Sequence, residues 1–319
     1  MVQWWNRMAR VDQNIAMSYV MVVVLIFVGA LISVGFASPS HLATLLTISS
    51  FLGIVAAGQT LVILTGGIDL SVPYLLNASA VFFTGFAARL ILGHDALDFL
   101  VVLAISVGFG VVNGVGVTVF NIPPLIMTLG MNSVIEGIVL VVTQGTPQGS
   151  VPAIASAIVN NTVVGIPIIL VVWAGLAVLI ALILTRTSLG RYIYAAGTSV
   201  KASYLTGVPI RTAFIAVYAA SGLFAGLAGI FLTGFSGNSY LGMGNAYLLP
   251  SIAAVIIGGA SLLGGQGKYW GTIAGAITLT VLITILQVLN ISQALQDIFY
   301  GVVIFLALLF YGRQANARG

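Results

Sequence analysis

Only six of the 319 residues are Asp or Glu, and two of these interrupt stretches that are otherwise apolar. Asp69 lies in TLVILTGGIDLSVPYLLNASA (60–80), and Glu136 lies in LIMTLGMNSVIEGIVLVV (125–142). A carboxylate in an apolar medium must be paired, solvated or neutralised, so such residues mark ion-coupling groups or solute paths by default. Thr128, Asn132 and Glu136 recur at i, i+4 and i+8, which places them on one helix face. Ser106, Gly110, Asn113 and Gly114 share a face of a second apolar run, and Gln59 and Asn77 punctuate two more. Two readings fit this pattern. One is a polar seam that lines a path for a polar solute. The other is hydrogen bonding between helices, with small residues permitting close approach.

The energy source for such a path is not in the chain. A P-loop needs G-x-x-x-x-G-K-[ST], so that backbone amides cradle phosphates and the hydroxyl reaches magnesium. The nearest approach is LLGGQGKYWG (262–271), where Leu262 replaces the first Gly and Tyr269 follows Lys268. There is no H-E-x-x-H, G-x-S-x-G or paired-carboxylate signature, so an enzyme reading has no visible site and no cofactor is expected in this chain. With no cysteine there are no disulfides or thiolate metal sites. No basic cluster with interleaved aromatics offers itself to nucleic acid.

The elements that must position these residues are membrane helices. Hydrophobic residues make up 60% of the chain and charged residues 5%, against about 25% charged in a soluble domain. Apolar windows of about 20 residues predict ten transmembrane spans, at 16–36, 42–65, 72–92, 99–120, 125–143, 166–185, 212–234, 248–264, 271–289 and 293–311. The first follows Arg7 and Arg10 but is too long for a signal core, so it reads as a retained span. The fold class is therefore all-α and polytopic, with residues 1–319 forming one transmembrane domain. With both termini in the cytoplasm, nine of the ten Lys and Arg fall inside and only Arg89 falls outside. Asp95, Asp98, Asp297 and both histidines then lie on the outer side, the histidines as solvated loop residues. The largest inner loop, 186–211, carries four of the positive charges. Ten spans divide five and five around the long outer loop, and LTGG (64–67) and LTGF (232–235) follow Gly- and Ala-rich spans of opposite direction. That division would give two inverted five-helix repeats.

Within this map Asp69 belongs to an inner turn. Gly66 and Gly67 can end the second span and turn the chain. Asp69 and Ser71 then precede the third span, where Asp69 can cap free N–H groups and Pro73 costs little in the first turn. The expectation is a wetted or capped residue near the cytoplasmic interface that shapes the inner mouth.

Four segments resemble one family in the same order. GQTLVILTGGIDLSV (58–72) is similar to the hallmark of permease subunits of monosaccharide ABC importers, the ribose, xylose and arabinose type. IPPLIMTLGMNSVIEGIVLVVTQG (122–145) resembles their Pro-rich entry to a central helix. GRYIYAAGTSVKASYLTGVPI (190–210) resembles their cytoplasmic loop, and LLPSIAAVIIGGASLLGGQG (248–267) a glycine-rich signature. Pro73, Glu136, Pro250, Lys201 and Tyr204 depart from the usual residues. The resemblance implies a dimeric permease, paired with a second copy or a paralogue, in the bacterial inner membrane. It implies a soluble sugar-binding protein outside and a separate ATPase with two nucleotide-binding halves inside, which holds the ATP and magnesium. Loop 186–211 would dock that ATPase through Gly190, Arg191, Ala196, Gly197, Ala202 and Gly207, with a short helix near Ala195–Thr206. The solute would be a pentose, a hexose or a related polyol-like molecule. The rival readings are a secondary transporter with Glu136 as proton carrier and a passive channel.

Overall fold

The computed structural model describes residues 2–86 and 95–316. The chain is helical almost throughout: α1 (Val2–Ile32), α2 (Pro39–Leu64), α3 (Val72–Val81, extended by a π-helical turn Phe82–Phe86), α4 (Asp95–Thr118), α5 (Pro124–Thr143) and α6 (Ala153–Asn160). A two-stranded antiparallel hairpin follows, β1 (Thr162–Val163) and β2 (Ile166–Pro167). Then come α7 (Ile168–Arg186), α8 (Ser188–Thr198), α9 (Val200–Leu205), α10 (Ile210–Ser236), a 3-10 turn (Asn245–Tyr247) leading into α11 (Leu248–Ile257), α12 (Tyr269–Val288) and α13 (Gln293–Asn316). Among the described residues seven helices are long and apolar enough to cross a membrane, while Val72–Gly85 and Asn245–Ile257 are apolar but shorter. The protein is an all-α polytopic membrane protein.

Two helices form the centre. Every residue of α2 from Ser49 onward is buried, and so is nearly every residue of α10 from Ser221 to Gly234. A helix that is apolar all round stands inside a bundle rather than on its surface. By contrast α1, α5 and α7 expose long rows of Val, Leu, Ile and Phe, as lipid-facing helices do. α2 and α10 cross where Gly58 lies against Ser221, whose Cα would stand 2.7 Å from a Cβ on Gly58. α4 packs antiparallel on α10 through Gly110, Gly114 and Gly222, which let backbones touch.

Packing between the halves is reciprocal. α3 and α4 pack on α10, while α11 and α12 pack on α2; α3 also meets α5 as α11 meets α13. Two oppositely directed copies exchanging partners would produce this pattern. α1 and α7 break it, since α1 packs on α12 and α7 on α2.

The ends of the helices define two faces. Leu64, α8, α9, the start of α10 and the loop 258–268 share one, the loop face: the Gly265 N–H donates to the Leu64 carbonyl at 2.9 Å, and Asn14 of α1 lies against Gly259. α6, the β-hairpin and the end of α10 share the other, the hairpin face, where Gly234 meets Ala155.

Three expected elements differ. The span expected at 248–264 is a helix only to Ile257. Gly259, Gly264 and Gly265 adopt positive φ and fold the rest of that apolar run back over the end of α2. The third span, expected over 72–92, is helical to Phe86, and its last residues, with Arg89 and His94, lie outside the described residues. The single short helix expected near 195–206 is two helices, broken at Ser199, which is extended (φ −164°, ψ 110°) and caps α9 by accepting from the Ala202 N–H at 3.2 Å.

Candidate functional site

After Leu64 the chain turns at Thr65 and Gly66 (φ 84°), and the Gly67 N–H returns to the Val62 carbonyl at 3.1 Å. It then climbs back into the bundle before α3 begins. The Leu70 N–H donates to Thr128 Oγ1 at 3.0 Å, and Thr128 is four residues, about 6 Å, into α5. Asp69 Oδ1 accepts from the Ser71 N–H at 2.9 Å and from Ser71 Oγ at 2.5 Å, and Oδ2 accepts from Ser221 Oγ at 2.7 Å. Ser71 Oγ in turn accepts from Asn113 Nδ2 at 2.9 Å. One short segment is thereby held to α5, α10 and α4 at once.

Of the two expectations for Asp69, wetted or capped, the bond from the Ser71 N–H matches the second. The side chain is 0% exposed rather than wetted. Its partner Ser221 stands eleven residues, about 16 Å, beyond the start of α10 on the loop face. Three donated hydrogen bonds satisfy the carboxylate, and two of them come from within the same turn.

The second re-entrant segment approaches from the hairpin face. From Ser239 to Gly244 the chain descends along α3: Thr84 Oγ1 and Ser239 Oγ are 2.6 Å apart, Asn77 Nδ2 donates to the Tyr240 carbonyl at 2.7 Å, and Gly244 presses on Pro73 so closely that a Cβ would stand 1.9 Å from its carbonyl oxygen. α3 and the helix starting at Asn245 therefore begin side by side inside the bundle and run to opposite faces. Both present helix N-termini, with their free N–H groups and positive dipole ends, to the same place. Beside it the Tyr74 hydroxyl donates to Glu136 Oε1 at 2.5 Å.

The six pathway candidates thus separate. Asn113 and Thr128 join Gly66, Gly67, Asp69 and Ser71 as clamps on the re-entrant turn. Asn77 holds the opposite segment, and Glu136 holds Tyr74. Asn132 lies one turn from Glu136 on α5 with its Oδ1 unpaired among the described residues. Gln59 is fully buried on α2, and neither amide atom has a partner among the described residues. Ser106 accepts the packing role, its Oγ 2.6 Å from Ser79 Oγ. Asp98 is buried at the start of α4, the end that lies toward the hairpin face. Ser221, Tyr74 and Gly244 were not singled out from sequence. Tyr74 had a signal, since it precedes Asn77 by three residues on the same helix face, but Ser221 and Gly244 are brought in by tertiary contact alone.

The loop 186–211 is seated, not free. Thr187 caps α8 by accepting from the Gly190 N–H at 3.2 Å. Gly190, Ala196 and Gly197 turn inward; a Cβ on Gly197 would stand 1.9 Å from the Leu64 carbonyl oxygen. The Tyr194 hydroxyl donates to the Gly267 carbonyl at 2.8 Å, and burial pushes its phenol up to about 12. Arg191, Ala202 and Gly207 are exposed, and α9 offers Tyr204 at 75% and Leu205 at 76% exposure.

Comparison with known proteins places residues 41–308 in the family described as branched-chain amino acid transport system / permease component. The chain is 36% identical to the ribose import permease protein RbsC of Escherichia coli, over 92% of each chain. It is 34% identical to the ribose import permease protein RbsC of Haemophilus influenzae, over 92% of this chain and 91% of that one. It is 32% identical to the fructose import permease protein FrcC of Rhizobium meliloti, over 91% of this chain and 82% of that one. No solved structure matches the chain significantly.

Proposed function

The chain belongs to this family of transport-system permease components, and from that premise we propose that it is the membrane-spanning subunit of an ATP-driven importer of a monosaccharide. The observation that carries the proposal is the seating of α8 on the end of α2. Gly197 touches Leu64, the Gly265 N–H bridges to the same carbonyl, and the re-entrant turn with Asp69 begins at the next residue. A partner pushing on the exposed Tyr204 and Leu205 of α9 would move α8 and, through Leu64, the turn clamped to α4, α5 and α10. An ATPase with two nucleotide-binding halves, supplying the ATP and magnesium chemistry absent from this sequence, is the partner of that kind. ATP binding would turn the permease outward, and hydrolysis would reset it.

The loop face is then cytoplasmic. Arg186, Arg191, Lys201, Arg211 and Lys268 all stand on it, as the positive-inside rule asks of a cytoplasmic side. Both termini fall on the same side, in a bacterial inner membrane, and a soluble sugar-binding protein would deliver solute at the hairpin face. A second copy or a paralogue completes the permease.

The relatives named above are ribose and fructose import permeases, whereas the family description names branched-chain amino acids. The chemistry of this chain favours a sugar. Side-chain amides at Gln59, Asn77 and Asn132 keep buried polar atoms unpaired among the described residues, which suits the hydroxyls of a polyol. Pairing with Tyr74 and membership of a permease-component family speak against Glu136 as a proton carrier that drives uptake.

Uptake into vesicles holding the assembled complex tests the reading. Import of a monosaccharide should need ATP and the binding protein and should survive an uncoupler. Import that persists without ATP and collapses with the uncoupler would overturn it.

A further inference from the structure

A cavity of about 390 Å³ lies between α2, α10, α11, α12 and α13, a region none of the pathway candidates from sequence reaches. It is entered at the hairpin face, because Phe235 and Ser236 end α10, Gln287 is in the last turn of α12 and Gln293 begins α13. Leu52 and Pro250 close it below, at the start of α11. Its size falls within the range of roughly 300–1,000 Å³ typical of small-molecule sites.

The lining mixes neutral polar groups with aliphatic ones such as Leu232, Met243 and Ile283. No ionised side chain contributes to it. Three of its hydroxyls point their protons at backbone carbonyls: Thr280 to Ala276 at 2.9 Å, Thr284 to Thr280 at 2.9 Å, and Ser236 to Leu232 at 2.9 Å or Asn238 at 2.7 Å. Each keeps oxygen lone pairs for a donor. Gln296 is 3% exposed, spends its Nε2 on the Ile291 carbonyl at 3.0 Å and leaves Oε1 without a partner. A buried, unpaired acceptor is costly until something donates to it. Phe235, Tyr240 and Tyr247 add flat apolar faces. Acceptor oxygens without a charge, facing aromatic rings, suit a neutral molecule with several hydroxyl donors and an apolar C–H face.

The wall of the cavity is the re-entrant segment itself. Tyr240 lines it, while the Tyr240 carbonyl accepts from Asn77 on α3. We infer that this cavity is a monosaccharide-accepting site inside the single protomer, with the segment 239–247 as the partition between it and the junction of α3 and Gly244. The inference rests on the reading of the chain as a sugar permease.

The sequence lacks cysteine, so Gln287→Cys and Thr284→Cys place single thiols in the cavity of the otherwise unchanged full chain. Ser150→Cys, on an exposed loop, is the control. D-ribose and D-fructose are the probes, with L-leucine beside them. One of the sugars should slow labelling at the cavity positions about threefold when present at twice its Kd, and leave the Ser150→Cys rate unchanged. Thr284→Trp, which fills the cavity, should cut uptake at least about tenfold with ATP hydrolysis retained, a loss of about 1.4 kcal/mol or more. If wild type imports a sugar, yet neither thiol is protected and the filled cavity transports normally, the cavity inference alone is wrong. If wild type imports L-leucine and no sugar, the sugar reading has failed whatever the cavity does. The labelling result stands even if Thr284→Trp does not fold.

Discussion

Asp69→Ala removes the acceptor for three hydrogen bonds while leaving the helices that supply them in place. The hydroxyls of Ser71 and Ser221 can each turn to a helix carbonyl, and Ser71 Oγ keeps its bond from Asn113. The Ser71 N–H has no such freedom. An orphaned buried amide costs about 1–3 kcal/mol, and two weakened hydroxyl contacts add about 0.5–1 kcal/mol each, so the change should destabilise the fold by about 2–5 kcal/mol. Asp69→Asn separates hydrogen bonding from charge. Its Oδ1 can accept both Ser71 bonds and its Nδ2 can donate to Ser221 Oγ, at a cost of about 1 kcal/mol. Thermal melting of the purified full chain, read beside vesicle uptake, gives both quantities. Asp69→Ala should melt well below wild type and assemble poorly, whereas Asp69→Asn should fold and transport with unchanged sugar preference. An Asp69→Asn protein that folds normally but carries nothing would show that the charge takes part in transport, and the clamp argument would be refuted. So would an Asp69→Ala protein as stable as wild type.

Gly197→Val pushes α8 off Leu64, where even a Cβ would stand 1.9 Å from the carbonyl oxygen; ATP hydrolysis should continue while sugar moved per ATP falls, and an unchanged ratio would break the proposed link from α8 to the turn. Leu205→Asp and Tyr204→Glu charge the exposed knob of α9 and should abolish co-purification with the ATPase without shifting the melting temperature. For Tyr194, the folded phenol is raised from 10.0 to about 12, so the proton is held more tightly in the folded state. Its stabilisation is full below pH 10 and is lost as pH rises through about 12. Tyr194→Phe should lower stability by about 1 kcal/mol at neutral pH through loss of the Gly267 bond and flatten the fall in melting temperature above pH 10; a parallel fall in both proteins would contradict this.

The sequence made the bundle legible because membrane helices advertise themselves by length and apolarity, and the Lys and Arg residues sort the loops between two faces. It hid depth. Hydropathy counts residues, so LLPSIAAVIIGGASLLGG passes for a span, although positive-φ glycines stop the helix at Ile257 and fold the remainder over Leu64. The position of Asp69 was hidden for a related reason. The turn at Gly66 is on the expected face, but the residues from Gly67 to Leu70 return into the bundle, where the Leu70 N–H meets Thr128. Ser221, which completes the clamp, is 152 residues away in sequence. Nothing in either local stretch announces the pair. The loop 186–211 was legible in its boundaries, since polarity marks them, but not in its break at Ser199.

The two re-entrant segments occupy matching places in the two halves and are not held alike. The loop-face segment 65–71 is tied to α10 through the Asp69 carboxylate and to α4 and α5 through neutral bonds at Asn113 and Thr128, and a hydrogen bond to a charged group is worth about 1.5–3 kcal/mol. The hairpin-face segment contains no acid. Its side-chain ties to α3 are the neutral bonds at Asn77 and Thr84, worth about 0.5–1.5 kcal/mol each, and Tyr240 beyond them is 54% exposed. Equal force applied to both segments would therefore displace the hairpin-face one first. The cavity lies behind that weaker partition, while α8, which would receive a push from the proposed ATPase, is seated against the stronger one. A stiff member at the face where force enters and a compliant one where solute enters is the order a permease needs if motion begun at one face is to open the other.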